Sequence, residues 1–399
     1  MKLSICMKRI TSLFVVASAV ALLPACQSTE TANKTIGEYA SSLIADTTQA
    51  TYQIISSSRE KNNHGSIAII GEPGNALLLS EYMIQCDRFD NINGKNNPDG
   101  LPDFAGETIS PILDSYNGSY ADIIKKGKEG YLSEINIRNF AAALDTACYL
   151  NSYDTDKIVH KSGAKLVVLS SSYSSAFGYD DIDTLRTLTN SKTHVISPVH
   201  AMLDEAWSLC GEGMNIGIWT TSDVPGSDIY ASVFEKEREL RSDFNAKYTV
   251  ISPDTSSTIT CRFLDFMKKY IDSSDGNNPK LQAILIDDLS VDIDELEDAV
   301  KSVLAVEQDS YITYLNFLDS NLKLIDFRGS VSSACYKYLR QNNAFTHKIS
   351  YPAVNIYVTA ASERDSSYVT LELKDKYLTE EIRNLMIVST PKIFSEYVR

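Results

Sequence analysis

Histidine, tryptophan and positive charge are what this sequence has least of. Its 399 residues hold 5 His and 2 Trp, and 37 Lys and Arg stand against 52 Asp and Glu, a formal net charge of −15. An acidic surface repels nucleic acid and anionic lipid headgroups, so neither is an expected partner. The histidines are scattered, and no zinc spacing, Ser-His-Asp order or phosphate-binding loop is present. The 7 Cys form no Cys-x-x-Cys pair, which excludes the usual redox and metal frameworks. Only residues 13–23 make a marked apolar run. That is shorter than the about 20 residues a membrane-spanning helix needs. There is no short-period repeat.

The apolar run has a context. Lys2, Lys8 and Arg9 precede it and small residues close it, the pattern of a secretory leader. It ends Leu23-Pro24-Ala25-Cys26, which resembles the lipobox of bacterial lipoproteins. The resemblance implies removal of residues 1–25 and acylation of Cys26 on its sulfur and amine. Each acyl CH₂ buried in the bilayer adds about 0.8 kcal/mol, so the anchor is firm. Gln27, where an acidic retention signal would stand, implies the outer membrane. Residues 26–38 read as a polar tether. Cys86, Cys148, Cys210, Cys261 and Cys335 remain in the mature chain. Their number is odd, so at least one is unpaired within the chain, and most sit in apolar contexts that suit small buried residues.

Beyond the tether, short β-branched runs at 66–70, 165–169, 194–197, 215–220, 248–252 and 281–286 alternate with segments of helical periodicity. Leu132, Ile135, Phe140, Ala141, Leu144 and Cys148 share one helical face. Val199, Met202, Leu203, Ala206 and Leu209 share another, closed by Gly211 as a cap. Further helices are expected over 228–244, 259–271 and 294–306. Alternating strands and helices predict parallel sheets covered by helices. The expected fold is α/β, with two Rossmann-like lobes at 39–190 and 191–323 and an α+β extension at 324–399. An acidic loop at 87–107 interrupts the first lobe. In the extension, a strand at 324–327, a helix over 331–341 and strands at 351–359 and 368–373 are expected.

Four segments in order resemble the aspartate/glutamate racemase superfamily. They are Ile67-Ala68-Ile69-Ile70-Gly71-Glu72-Pro73-Gly74, then Val167-Val168-Leu169-Ser170-Ser171-Ser172. Next come Ile196-Ser197-Pro198-Val199-His200-Ala201-Met202, and Ile216-Gly217-Ile218-Trp219-Thr220-Thr221-Ser222-Asp223 running on to Tyr230. The resemblance covers about 65–290 and implies two α/β lobes with the site between them. It also implies two thiols, one per lobe, that exchange the α-proton of the substrate. Here Ser171 stands at the first thiol position and Asp287-Asp288 at the second. A serine hydroxyl is far less acidic than a thiol, whose free pKa is about 8.5, so thiol-dependent racemisation is not expected.

Open α/β sheets bind ligands beyond the carboxyl ends of their strands. That rule selects the segments 72–75, 170–172, 220–223, 252–254 and 287–288, with Glu72, Gly74, Asn75, Ser171, Ser172, Thr220, Thr221, Ser222 and Asp288 as ligand-binding residues. Ser, Thr and Asp are also ordinary helix caps; it is their coincidence on one sheet edge that points to a ligand. In the loop, Asp90, Asp99, Asp103 and Glu107 lie among Asn, Gly and Pro. Hard oxygen ligands on a flexible segment suit Ca²⁺, although the spacing is not that of an EF-hand. Leu101 and Phe104 suggest that this loop folds over the cleft. His200, at a helix start, is either a base or a packing residue. Two functions follow. One is an anchored lipoprotein holding a small polar or anionic solute between its lobes. The other is an isomerase or hydrolase using Asp99, Asp103 and Asp288 on an envelope metabolite.

Overall fold

The structure is a computed structural model that describes residues 36–149, 158–211, 213–221, 226–241, 243–254, 258–274, 276–305, 313–348, 350–360 and 372–374. The leader, Cys26, most of the tether and Ser222 lie outside these residues. The first part of the chain forms α1 (Glu38–Ala45), α2 (Ala50–Ser57), β1 (Ser66–Gly71), α3 (Pro73–Gln85), β2 (Thr108–Leu113), α4 (Tyr120–Lys125), α5 (Glu129–Leu144), β3 (Ala147–Tyr149) and β4 (Ile158–His160). It continues with β5 (Ala164–Leu169), α6 (Ser172–Phe177), α7 (Tyr179–Thr189) and β6 (His194–Ile196). The second part forms α8 (Pro198–Cys210), β7 (Asn215–Thr220), α9 (Gly226–Leu240), β8 (Lys247–Ile251), α10 (Ile259–Asp272), β9 (Leu281–Asp287) and α11 (Ile293–Ala305). The chain then adds β10 (Leu318–Asp326), α12 (Phe327–Gln341), β11 (Ala353–Val354), β12 (Tyr357–Ala360) and β13 (Glu372–Lys374).

The fold is α/β with two largely parallel sheets. One has nine strands, in the order β4-β3-β13-β12-β2-β1-β5-β6 with β11 also on β2; the other has four, β10-β9-β7-β8. Among the described residues, only β3–β4 and β12–β13 pair antiparallel. Every residue of β1, β5 and β7 is buried, as expected of strands covered on both faces. The elements after 318 are shared out. β10 lies parallel to β9 in the second sheet, and β11 to β13 return to the first. β6, expected in the second lobe, pairs with β5 in the first sheet.

β2 (TISPIL) was not among the expected strands, and its Pro111 cannot donate to a ladder. The structure accommodates it in a gap. β11 pairs with Thr108 and Ile109, β12 with Ile112 and Leu113, so Pro111 falls between the two partners. Two other expectations shift. Cys148 lies in β3 rather than on the α5 face, and Leu209 is 49% exposed while Val199, Met202, Leu203 and Ala206 are buried. Gly211 does close α8, at φ 75°.

One apolar cluster runs through both lobes. It joins Ile69 and Val168 of the first sheet to Ile218 and Leu285 of the second through Val199 and Met202 of α8 and Val331 and Leu339 of α12. Separate clusters fill the outer faces, beneath α1, α2, α5 and α7 on one side and α10 and α11 on the other. A shared core holds the two carboxyl edges in register.

Candidate functional site

The carboxyl ends of β5, β7 and β9 meet the starts of α3 and α6 and one side of α4 around a cavity of about 400 Å³. Asn75, Ser171, Ser172, Thr220, Thr221 and Asp288 line it together. Glu72 and Gly74 are not among its lining residues. Glu72 begins α3 and accepts the Tyr120 N–H at 3.1 Å. Burial, aided by nearby Asp114 and Asp122, raises its pKa against that hydrogen bond. Gly74 lies exposed in the first turn of α3 with open space around it.

Ser171 caps α6, its hydroxyl accepting the Ser174 N–H at 3.3 Å. Its neighbours are not so occupied. Ser170 is fully buried and Ser172 is 6% exposed, both line the cavity, and neither hydroxyl has a hydrogen-bond partner of regular geometry. A buried polar group without a partner costs about 1–3 kcal/mol. Both residues line the cavity, and a ligand reaching either hydroxyl would complete its bonding.

The two acidic residues at the end of β9 have separate surroundings. Asp288 is 5% exposed. It pairs with Arg262 Nη2 at 2.7 Å and accepts from Ser290 N at 3.0 Å and Ser290 Oγ at 2.6 Å. Arg262 is held in turn over the Trp219 ring, 5.2 Å from its centroid. Asp287 accepts a short hydrogen bond from the Tyr230 hydroxyl of α9 and lines the cavity. Burial raises its pKa above the usual carboxylate value. Ser172 and Tyr230 oppose that rise, and neighbouring Asp288 adds to it. Burial likewise pushes the Tyr230 hydroxyl well up, so it stays a donor. Burial thus favours the protonated form of Asp287 more than it would at an exposed carboxylate. The sequence marks the acidic doublet but not which member would keep a free role. Lys125, Tyr173 and Phe327 also line the cavity, and no sequence motif announces them.

The acidic loop is placed elsewhere. It joins the end of α3 to the start of β2, at the amino edge of the sheet, and none of residues 87–107 lines the cleft cavity. The expected lid is thus corrected. Phe104 is buried in the shared core and Leu101 is 57% exposed. The expected Ca²⁺ site is corrected as well. Asp103 accepts from Phe89 N at 2.9 Å, Arg88 N at 3.0 Å and Cys86 Sγ at 3.2 Å. Glu107 is fully buried and pairs with Lys165 Nζ at 2.7 Å. Asp99 accepts from Asn91 N and Leu101 N, and Asp90 from Ile92 N and Asn93 N. Among the described residues, no group of three or more His, Cys, Asp or Glu is arranged to hold a metal ion. These carboxylates shape the loop. Asp99 and Asp103 are likewise no acid/base pair at the cleft.

The loop does line a second cavity of about 700 Å³, with Tyr336, Phe345 and Tyr351. His200 packs rather than lines the cleft: Ser197 Oγ lies 2.7 Å from its Nδ1 and the Tyr179 ring 4.6 Å from its ring. None of the five described cysteines lines the cleft.

No family model matches the sequence, and no curated protein matches it. Solved structures of similar layout include glutamate racemase from Francisella tularensis in complex with D-glutamate, 13% identical, with 83% of this chain and 95% of that chain covered and a TM-score of 0.47. Glutamate racemase RacE1 from Bacillus anthracis is 13% identical over 75% and 90%, at 0.45. An aspartate racemase homologue from Pyrococcus horikoshii is 14% identical over 69% and 99%, at 0.33. At such values the likeness assigns no activity to this chain.

Proposed function

We propose that this chain is an envelope lipoprotein, anchored through Cys26, that binds a small polar or anionic solute in the cleft between its lobes. The observation that carries the binding half is the convergence of Asn75, Ser171, Ser172, Thr220, Thr221 and Asp288 on one cavity beyond the carboxyl ends of the strands. Lys125 on the same cavity favours negative charge in the ligand. About 400 Å³ is within the range of small-molecule pockets. The anchor half rests on the leader and the sequence Leu-Pro-Ala-Cys ending at Cys26. No helix among the described residues is long and apolar enough to cross a membrane, so an attached lipid supplies the membrane contact in this reading.

A ligand specific to the folded state raises its melting temperature by mass action. Acetate, succinate and sulfate, titrated separately, test the reading. At least one should raise the melting temperature of the wild type, and Ser172→Val with Asn75→Leu should lose that shift. No shift from any of them would contradict it.

A second reading is favoured by Asp287, whose burial and Tyr230 contact suit a general acid or base. In that reading the chain is an isomerase or hydrolase, and thiol chemistry is not required of it. Asp287→Asn separates the two readings: an enzyme loses turnover, whereas a binder changes only its affinity.

A further inference from the structure

We infer that an anion entering the cleft is bound together with one proton, which Asp287 takes up. The inference rests on the binding reading above and adds to it the charge balance of the bound state. Asp287, Ser170 and Ser172 line the same cavity. Ser172 stands near enough to the Asp287 carboxyl to favour its charged form, although it makes no regular hydrogen bond. An anion held in this cavity therefore sits beside that carboxyl. Two negative charges a few ångströms apart in a space poor in water repel strongly.

The groups facing Asp287 decide how the repulsion is relieved. From β9, Asp288 is a second carboxylate. Its cation, Arg262 of α10, is already committed to it at 2.7 Å. From α9, the Tyr230 hydroxyl already donates to Asp287. From α6 come the hydroxyl of Ser172 and the Tyr173 phenol, both neutral, on the cavity wall. Lys125 of α4 is the one cation among the described lining residues, and a bound anion draws on its charge. What remains is protonation. A neutral Asp287 no longer repels the anion and becomes a hydrogen-bond donor to it. The proton comes from solvent and no covalent bond changes. Burial already lifts the proton affinity of Asp287 against the pull of Tyr230 and Ser172, and an anion acts in the same direction as burial.

Sulfate is a suitable probe because its own charge is constant over the pH range used. Its affinity, measured by calorimetry from about pH 5 to 8, should strengthen as pH falls, by up to about tenfold per unit where one proton enters with each anion. Paired buffers of different ionisation enthalpy should report that proton directly. Asp287→Asn should bind without pH dependence, and at pH 8 more tightly than the wild type, since its amide is a permanent neutral donor. Tyr230→Phe removes a hydrogen bond that favours the charged carboxylate, so its pH window should move upward; this variant also serves if Asp287→Asn folds poorly. Sulfate binding that is flat with pH in the wild type overturns the inference and leaves the binding reading standing. Absence of sulfate, acetate and succinate binding overturns both.

Discussion

Asp287 and Asp288 are neighbours in sequence, yet the structure gives them opposite tasks. At a strand end adjacent side chains leave on opposite sides, so one meets Tyr230 of α9 and the other Arg262 of α10. The division was not legible in the sequence, because Arg262 lies 26 residues away from the doublet and nothing local announces the pairing. Removing one partner of a buried ion pair leaves an uncompensated charge, at about 3–5 kcal/mol. Arg262→Met should therefore lower stability to urea by about that much, and Arg262→Met with Asp288→Leu by clearly less. Asp287 has the opposite linkage. Its folded pKa is raised above the ordinary 3.8, so between those two values the folded state holds a proton that the unfolded chain has released. Stability is greater at the acid side of that window and is lost as pH rises through the folded pKa. Asp287→Asn should remove this loss, so its gain in melting temperature over the wild type should be larger at about pH 7.5 than at about pH 4.

Among elements, the acidic loop shows where sequence reading stops. Its composition suited a cation, but composition does not say whether carboxylates face one another or the backbone. Asp103 turns to the N–H groups of Arg88 and Phe89, and Glu107 to Lys165 of β5. Melting experiments should then show no rise with Ca²⁺ or Mg²⁺. Asp103→Ala should cost about 1–3 kcal/mol by leaving those donors unpaired, while Asp99→Asn, on an exposed stretch, should cost little. The strands were easier. β1, β5, β7 and β9 are short runs rich in buried apolar residues, and each formed within a residue or so of its expected bounds. β2 was not expected, and the placement of its Pro111 depends on a strand gap made by residues more than 200 positions later.

On the scale of the whole molecule, the rule that ligands sit beyond the carboxyl ends of strands brought six of the expected residues to one cavity. Lys125 escaped it because α4 delivers it through tertiary packing, whereas Tyr173 and Phe327 follow closely on β5 and β10 and lay within reach of the rule. The far ends of the chain take part in different ways. The elements after 318 belong to both sheets, and in the proposed reading residues 1–25 carry the address. If Cys26 bears the anchor, Cys26→Ser should move the protein from the membrane fraction to the soluble fraction without changing the melting temperature of the folded part. Retention of the variant in membranes would refute the anchor. The central claim is that the cleft, and not the larger cavity beside Tyr336 and Tyr351, is where the solute binds. A crystal structure of the purified protein grown with succinate tests it most directly. Ligand density among Asn75, Ser170, Ser172 and Lys125, with an oxygen within hydrogen-bond reach of both serine hydroxyls, is the expected result. Density confined to the larger cavity, or an empty cleft at saturating succinate, would contradict it.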